Sequence, residues 1–419
     1  MFASLRAIAA SPKVLSPGNR AVVMALHVAG RIVTLPLLVW PPGLWPRRRP
    51  RPLGAGSRIL LMRVDGIGDF IMTTALFPAL RRAYPDAQID LVCSTLAKPL
   101  AELYVRSGDI NTLYPLPLGG RTAGQLWRLV RQLRENRYDA AVDLRGDFRN
   151  VLLAWLGGAS RRFGLYYSGL DYLLTDVLAP EQGTQRRHQA EEVAAVAAML
   201  GMPEFAPAPR LLLGEEHRAF AERWLIENGV AENGDGRGRV VVAFHLTAGM
   251  PARLWPLDRF IEVARRLVAE HDVRVMVVGS PDDRAAAEAF SAALEEPALI
   301  AAGATSLAQS AALMERSALF IGTDSGPAHV ASSVGCPLVV LFGPGNEQVM
   351  RPYAQAVRIV RSPVACDRHC HNKACAVPER HCLKAISVDA VCAAARELLR
   401  AGSPAQCPSG DAAGTQRAG

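Results

Sequence analysis

The chain has 419 residues, of which 50% are hydrophobic and 21% charged, so it can bury two cores and is not disordered as a whole. Its formal net charge is +8, but residues 1–58 hold nine Lys or Arg and no acid, which leaves −1 for the remainder. The basic character therefore belongs to the amino-terminal segment, and no nucleic-acid-binding face is predicted for the body of the chain.

The amino-terminal segment has the composition of a membrane contact. Residues 21–45 are largely apolar and are followed by the arginine-rich stretch 47–51. Charges and prolines limit the longest uncharged run to residues 32–45, which is shorter than the ~20 residues that a spanning helix requires. We therefore predict that residues 1–56 form a leader that lies on an anionic membrane surface as an interfacial helix. A disordered leader or a misassigned start codon is the alternative.

The first strand–turn–helix unit presents one carboxylate at a helix start. A strand is predicted over residues 58–65, a tight turn follows at Gly66-Ile67-Gly68-Asp69, and residues 70–83 are apolar at helical spacing. A dinucleotide fingerprint would place a third glycine at position 71, where the chain has Ile71. The turn therefore brings backbone close to a ligand, and Asp69 acts either as a base or as a plain helix cap.

Strands and helices alternate through the rest of the chain, which predicts two doubly wound α/β domains facing each other across a cleft. In the first half, strands are predicted at 88–93, 112–116 and 138–144, and helices at 96–105, 124–136, 189–200 and 215–228. In the second half, strands are predicted at 240–246, 273–279 and 298–301, and helices at 257–270, 283–294 and 307–316. The proline-rich stretch 202–209 places the boundary between domains 57–209 and 210–400. Residues 401–419 are predicted to be a disordered tail.

The last predicted unit is shaped to hold an anion. A buried strand at 319–321 runs into Asp324 and Ser325, which are good N-cap residues, and Pro327 suits the first turn of the following helix. The free N–H groups of this turn and the helix dipole favour phosphate, and Gly326 lets a diphosphate approach the backbone. A helix cap without a ligand is the alternative. A further strand is predicted at 337–342.

Four motifs together resemble glycosyltransferase family 9, the bacterial heptosyltransferases that build the inner core of lipopolysaccharide. They are Leu61-Met-Arg-Val-Asp-Gly-Ile-Gly-Asp69, Arg253-Leu-Trp-Pro256, Gly322-Thr-Asp-Ser-Gly-Pro-Ala-His329 and Leu341-Phe-Gly-Pro344. The resemblance covers residues 57–400 in order and spacing. It implies the two-domain GT-B fold and inverting transfer of a sugar from a nucleotide diphosphate donor, with no cofactor or divalent metal required.

The resemblance also implies roles for individual residues. Asp69 matches the acid proposed to take the proton from the acceptor hydroxyl, and Asp65, Gly66 and Gly68 belong to the same acceptor-side loop. Arg253 falls where heptosyltransferases often carry a lysine that pairs with donor phosphate.

The resemblance and the predicted phosphate turn also imply roles for the remaining donor-side residues. Ser325 and Gly326 would donate to the diphosphate, Asp324 would hold the loop, and His329 would assist the leaving group or simply pack in the helix. Thr247 is a weaker phosphate candidate, and Asp282 is assigned to the ribose hydroxyls.

The predicted function is an inverting glycosyltransferase that acts on lipopolysaccharide core or another cell-envelope glycan, peripherally on the inner face of the cytoplasmic membrane. Heptose from an ADP-heptose-like donor is one candidate, but the first loop lacks the small hydroxyl residues common in heptosyltransferases, which leaves sugar and acceptor open. The alternatives are a non-catalytic membrane-associated protein on the same fold and a nucleotide-sugar epimerase.

None of these assignments includes the cysteine-rich segment, residues 366–382. Cys366, Cys370, Cys375 and Cys382 lie there among three histidines, without the short two-residue knuckles of common zinc fingers. Either a structural metal or unpaired thiols in a reducing compartment fits this spacing.

Overall fold

The computed structural model describes residues 52–120, 122–168, 170–178, 187–230, 239–343, 345–364 and 382–401. Most of the predicted leader, the predicted tail, Pro344 and three of the four clustered cysteines lie outside these ranges. Within them, no helix combines the length and the apolar character needed to cross a bilayer.

The first half of the chain builds a six-stranded parallel sheet. Its strands are β1 (Arg58–Arg63), β2 (Gln88–Ser94), β3 (Thr112–Leu116), β4 (Ala140–Asp143), β5 (Arg161–Leu165) and β6 (Asp176–Leu178). Its helices are α1 (Ile67–Ile71), α2 (Leu76–Ala83), α3 (Lys98–Arg106), α4 (Ala123–Asn136), α5 (Phe148–Leu156) and α6 (Gln189–Met199). The strand order is β3-β2-β1-β4-β5-β6, so the chain begins at a central strand and winds outward to each edge.

The second half repeats this architecture. After α7 (Glu215–Glu227) come β7 (Val241–His245), α8 (Leu257–His271), β8 (Arg274–Val277), α9 (Arg284–Ala292), β9 (Leu299–Ile300), α10 (Leu307–Glu315), β10 (Leu319–Thr323), α11 (Gly326–Ser333), β11 (Leu338–Phe342), α12 (Glu347–Met350), β12 (Val357–Arg361) and α13 (Val388–Arg400). The strand order is β12-β11-β10-β7-β8-β9, again all parallel.

Both sheets are covered on two faces, which explains why their central strands are apolar without alternation. Every residue of β7, β10 and β11 is buried. The largest apolar cluster contains buried residues of both halves, among them Phe70 of α1 and Ala328 of α11. The two halves therefore share packed surface beside the carboxyl ends of β1 and β10.

The predicted architecture of two doubly wound domains is confirmed, and the predicted strands recur within a few residues of their expected bounds. The domain boundary near Pro209 stays a prediction. The continuous helix predicted over 70–83 is wrong. It is split into α1 and α2 because the hydroxyls of Thr73 and Thr74 donate to the carbonyl oxygens of Phe70 and Ile71, at 2.6 and 2.8 Å, and compete with the helical pattern.

Candidate active site

Two glycine turns, one from each sheet, meet at the carboxyl ends of the central strands. A Cβ on Gly68 would lie 2.5 Å from Cδ2 of His329, and a Cβ on Gly326 would lie 3.3 Å from Cβ of Ile67. Side chains at these two positions would therefore push the halves apart. The glycines predicted to admit a ligand also let the first turn of α1 pack against α11.

Asp69 is held in the first turn of α1 by a buried arginine. Its Oδ1 lies 3.2 Å from Nη2 of Arg63, and about a quarter of its side chain is exposed, at 26%. Burial raises the pKa of Asp324 and lowers the pKa of His329, both in the other half, and the charge of Asp69 acts upward on each. Asp69 therefore lies close to the predicted phosphate turn.

Asp65, the other acid of this loop, is buried beside two arginines. Its Oδ2 lies 3.2 Å from Nε of Arg63 and 4.0 Å from Nε of Arg145, and its side chain is only 9% exposed. Arg63 also donates to Oε1 of Gln189 in α6, at 3.3 Å. These contacts fix the turn that carries Asp69, which leaves Asp69 as the more accessible carboxylate.

Arg253 reaches the phosphate turn from the short 3-10 turn Pro251–Arg253. Its Nη1 lies 2.9 Å from Oδ2 of Asp324 and donates to the Asp324 carbonyl oxygen at 3.1 Å. Burial raises the pKa of Asp324, while the charge of Arg253 lowers it. The pair places a partly exposed guanidinium at the start of α11.

The first turn of α11 offers backbone donors. Within the described part of the chain, the N–H groups of Ser325 and Gly326 have no protein acceptor. Ser325, Gly326 and Pro327 are each partly exposed. Together with the helix dipole and Arg253, these amides form an electropositive site suited to a diphosphate.

A chain of polar side chains supports this turn from β7. The Oγ of Ser325 lies 3.3 Å from Nδ1 of His245, and Oγ1 of Thr247 lies 3.3 Å from Nε2 of the same ring. Thr247 also donates to Asp283. Although burial opposes it, hydrogen bonds from His245, Thr247 and Ser280 lower the pKa of Asp283 well below its ordinary value. Asp283 is therefore a carboxylate at neutral pH.

Asp282, to which the sequence assigns the ribose hydroxyls, is exposed on the turn Pro281–Asp283. Its neighbour Asp283 accepts the hydrogen bond from Thr247, the phosphate candidate that follows β7. The ribose assignment of Asp282 stays a prediction. The sequence signal for Asp283 was a serine three residues earlier, Ser280, whose N–H and hydroxyl both donate to that carboxylate in a capping box.

His329 is buried in α11, and its ring packs on Gly68. Burial lowers its pKa to about 4, with Asp69 acting in the opposite direction. The imidazole is therefore neutral at pH 7. It can donate a hydrogen bond to a leaving group, but it does not carry a positive charge there.

Two further residues, His188 and Asp143, hold backbone in place near the site, and only His188 was missed by sequence reasoning. His188 caps α6 by accepting from the N–H of Ala190 at 3.2 Å, and its Nε2 lies 2.8 Å from the carbonyl oxygen of Arg351 in the other half. Asp143 is fully buried and accepts from the backbone N–H groups of Arg145 and Asp147, both at 3.0 Å. The sequence signal for His188 is its position directly before a helix, and the signal for Asp143 is its position at the end of a buried strand.

A cavity of about 510 Å³ lies in the second half of the chain, lined in part by residues that follow β7. It opens beside Thr247, and its walls are mostly apolar, with Leu246, Leu254 and Trp255 among them, while Lys384 adds a positive charge. Its size falls in the range of small-molecule sites.

No group of three or more metal-ligating side chains occurs among the residues that the structure describes. Of the cysteine cluster, Cys382 is buried, whereas Cys366, Cys370 and Cys375 lie outside the described ranges. The metal site proposed for them stays a prediction.

Comparisons with known proteins identify the family to which the chain is similar. Residues 126–381 match the family model described as glycosyltransferase family 9 (heptosyltransferase). Lipopolysaccharide heptosyltransferase 2 of Escherichia coli K12 is 29% identical over 314 residues, covering 73% of this chain and 88% of that protein. Lipopolysaccharide heptosyltransferase 3 of the same strain is 28% identical over 302 residues, covering 69% of this chain and 83% of that protein.

Solved structures share the fold. The E. coli ADP-heptose LPS heptosyltransferase II superimposes with a TM-score of 0.65 at 25% identity, covering 82% of this chain and 99% of that chain. A glycosyl transferase family 9 protein from Veillonella parvula DSM 2008 gives a TM-score of 0.70 at 23% identity, covering 84% of this chain and all of the other.

Proposed function

Because the chain belongs to glycosyltransferase family 9, we propose that it transfers heptose from ADP-heptose to a lipopolysaccharide core acceptor. Its relatives include lipopolysaccharide heptosyltransferases, and one solved structure that it resembles is named for ADP-heptose. The two parallel sheets and these similarities confirm the predicted GT-B fold and glycosyltransferase class. They disfavour the non-catalytic and epimerase alternatives.

The proposed reaction is a single inverting displacement. Asp69 removes the proton from the acceptor hydroxyl, the hydroxyl oxygen bonds to the anomeric carbon, and the bond from that carbon to the diphosphate oxygen breaks. The proton ends on the Asp69 carboxylate and the electron pair leaves with the nucleotide diphosphate. Arg253 and the amides of Ser325 and Gly326 stabilise the charge that develops on the leaving group.

The observation that carries this proposal is the approach of Asp69 to the phosphate turn from the opposite sheet. The acid and the electropositive turn belong to different halves, and they are close enough for Asp69 to influence the pKa of Asp324 and His329. A displacement with inversion needs its base and its leaving group on opposite sides of the sugar. In this proposal the sugar lies between the two halves, with Asp69 on one side and the phosphate turn on the other.

The donor side uses supporting residues in defined roles. Asp324 orients Arg253 through their ion pair, and the polar chain from Asp283 through Thr247 and His245 orients Ser325. Neutral His329 donates a hydrogen bond to the departing diphosphate. These protein groups, and not a divalent metal, neutralise the leaving group in the proposed reaction.

The acceptor is lipid-linked in this proposal, and the protein works peripherally at the inner face of the cytoplasmic membrane. The basic and apolar leader, residues 1–56, supports that location through its composition. Asp65, Gly66 and Gly68 form the loop that borders the acceptor hydroxyl.

A donor panel tests the proposal. We expect ADP-heptose to raise the melting temperature of the full chain more than GDP-, UDP- or dTDP-sugars, because only a bound donor stabilises the folded state by mass action. Mass spectrometry of a heptose-deficient lipopolysaccharide core should then show the addition of one heptose and release of ADP. Binding without transfer to any core acceptor would contradict the assignment, as would formation of a free isomer of the nucleotide sugar.

A further inference from the structure

Exposed apolar side chains concentrate at one rim of the first sheet. Ten large hydrophobic residues are exposed in the part of the chain that the structure describes, and four of them belong to this rim. These four, which we call the apolar rim, are Leu96, Leu118, Leu126 and Trp127, with exposures of 53%, 41%, 36% and 66%. The other six are distributed over several elements, as single exposed hydrophobic residues commonly are.

Topology brings the members of the apolar rim together. Leu96 follows β2 and Leu118 follows β3, and these strands are parallel neighbours whose ends are joined by a hydrogen bond from Thr95 N–H to Leu116 O at 2.9 Å. Leu126 and Trp127 lie near the start of α4, which begins a few residues after β3. All residues from 122 to 128 are exposed, so this end of α4 projects from the domain.

Positive charge flanks the rim. Trp127, Arg131 and Arg134 share one face of α4 because they are spaced by four and three residues. The helix carries three arginines, Arg128 included, against one acid, Glu135, which pairs with Arg131 at 3.0 Å. An anionic surface would complement this helix.

The rim also lies at the edge that carries the proposed base. β2 pairs directly with β1, which ends at the loop of Asp69, and parallel strands end at the same side of a sheet. A surface that covers the rim therefore comes close to the acceptor-side loop without entering the contact between α1 and α11.

We propose that the apolar rim and the arginines of α4 dock the protein on an anionic lipid bilayer, so that the acceptor-side loop faces the membrane. This rests on the proposed function, because a lipid-linked acceptor is what makes that orientation useful. Trp127 has an amphipathic ring suited to the interface, and leucines beside arginines are the composition of interfacial helices. Each arginine near the surface adds attraction to anionic lipid that salt weakens.

Hydrogen–deuterium exchange of the full chain tests the location of the contact. The protein is compared alone and with vesicles of phosphatidylglycerol and phosphatidylethanolamine. We expect several-fold slower exchange in peptides covering residues 95–98 and 118–131 on the vesicles, and no change in α7. Protection confined to the leader, or no binding to these vesicles, would overturn the proposal. Protection of the same peptides in a lipid-free dimer would instead assign the rim to a second copy of the chain.

Paired substitutions test the energetics. Leu126→Ser with Trp127→Ser should weaken vesicle partition roughly tenfold, because both side chains lose their apolar contact with lipid. Ile226→Ser is the matched control, since Ile226 on α7 is 56% exposed and lies away from the rim. Equal partition of the double variant and the wild type would contradict the assignment.

Two acceptors separate this proposal from the proposed function. The double variant should transfer heptose to a delipidated core oligosaccharide at the wild-type rate and be slower only on vesicle-bound acceptor. If the wild type uses neither acceptor, the proposed function fails. If the wild type uses both and the double variant matches it on vesicles, only the docking surface is wrong.

Discussion

At the residue scale, the proposed function assigns donor phosphate binding to Arg253, which is held by its ion pair with Asp324. Arg253→Met removes a charged donor from the phosphate site, and we expect ADP affinity measured by calorimetry to fall by roughly 2 kcal/mol. The same change leaves Asp324 buried without its partner, which should also reduce the free energy of unfolding by about 2 kcal/mol.

The matched control for this pair is Asp324→Asn. Because Asn is neutral and nearly isosteric, the double variant Arg253→Met, Asp324→Asn should recover stability without recovering ADP affinity. If the double variant recovered both stability and ADP affinity, Arg253 would have only a structural role. The same would follow if Arg253→Met were less stable but bound ADP as tightly as the wild type.

His329 predicts a pH dependence of stability. Burial lowers its pKa from 6.5 to about 4 in the folded state. Between these values the unfolded chain binds a proton that the folded chain does not. The contribution of His329 to stability is therefore complete above pH 6.5 and is lost as the pH falls toward 4, by about 3 kcal/mol in total.

Urea denaturation at pH 7 and pH 4.5 measures this effect. His329→Asn should lose less stability than the wild type over that interval, because the buried imidazole is no longer there to be protonated on unfolding. An identical pH dependence in His329→Asn and wild type would mean that the imidazole is already accessible to protons in the folded protein.

The positions of side chains were predictable where a motif fixes the backbone, but not where the conformation of a short turn determines which side chain faces the site. Asp69, Ser325 and Gly326 follow strands whose ends the sequence locates, so their position at the cleft could be predicted. Asp282 and Asp283 are adjacent in one short turn, and only its conformation determines that Asp283 accepts from Ser280 and Thr247. Composition and spacing do not contain that information.

At the scale of elements, the short helix α1 depends on the close approach of α11. Gly68→Ala would place a Cβ 2.5 Å from the His329 ring, which must then move. We expect a loss of about 1–3 kcal/mol in stability from this overpacking. Transfer should also slow, because displacement of α1 moves Asp69.

Gly66→Ala is the control for stability. Its Cβ would meet only an oxygen of Asp69 at 3.7 Å, and its φ of −69° suits any residue. Thermal unfolding should therefore separate the two variants clearly, and removal of the ring in a His329→Ala background should reduce the penalty at Gly68. Equal melting temperatures for Gly66→Ala and Gly68→Ala would contradict the packing described.

Of the elements that the sequence analysis missed, β5 lacks the usual apolar signal of a buried strand. β5 contains Arg161, Arg162 and Gly164, which are unusual in a buried strand, yet Arg161 pairs with Asp176 of β6 at 2.5 Å and its guanidinium lies over Phe163. In α13, by contrast, Val391, Ala395 and Leu398 are buried at helical spacing, a signal that was present but not used. α13 follows the cysteine-rich segment, in which the sequence analysis identified no turn that would mark the start of a helix. Central strands such as β1 and β10 were predicted because burial on both faces makes them continuously apolar.

At the scale of the whole molecule, the fold places two strand-end loops from separate sheets against each other. Neither half alone holds both the proposed base, Asp69, and the proposed phosphate site. The doubly wound topology of each half, and two domains facing each other across a cleft, were predicted from the alternating elements, and the family resemblance implied the GT-B arrangement. The direct contact of α1 with α11 and the bridge from His188 to Arg351 required the structure, because residues so distant in sequence leave no local pattern.

The most direct test of the account is single-turnover transfer by Asp69→Asn, measured together with its affinity for ADP. The account predicts that transfer falls roughly a thousandfold, the range of a lost general base, while ADP affinity stays close to that of the wild type. Asp86→Asn, at an exposed loop position, serves as the control and should leave both unchanged. Transfer at the wild-type rate in Asp69→Asn would contradict the account, because the acid facing the phosphate turn would then not be the base.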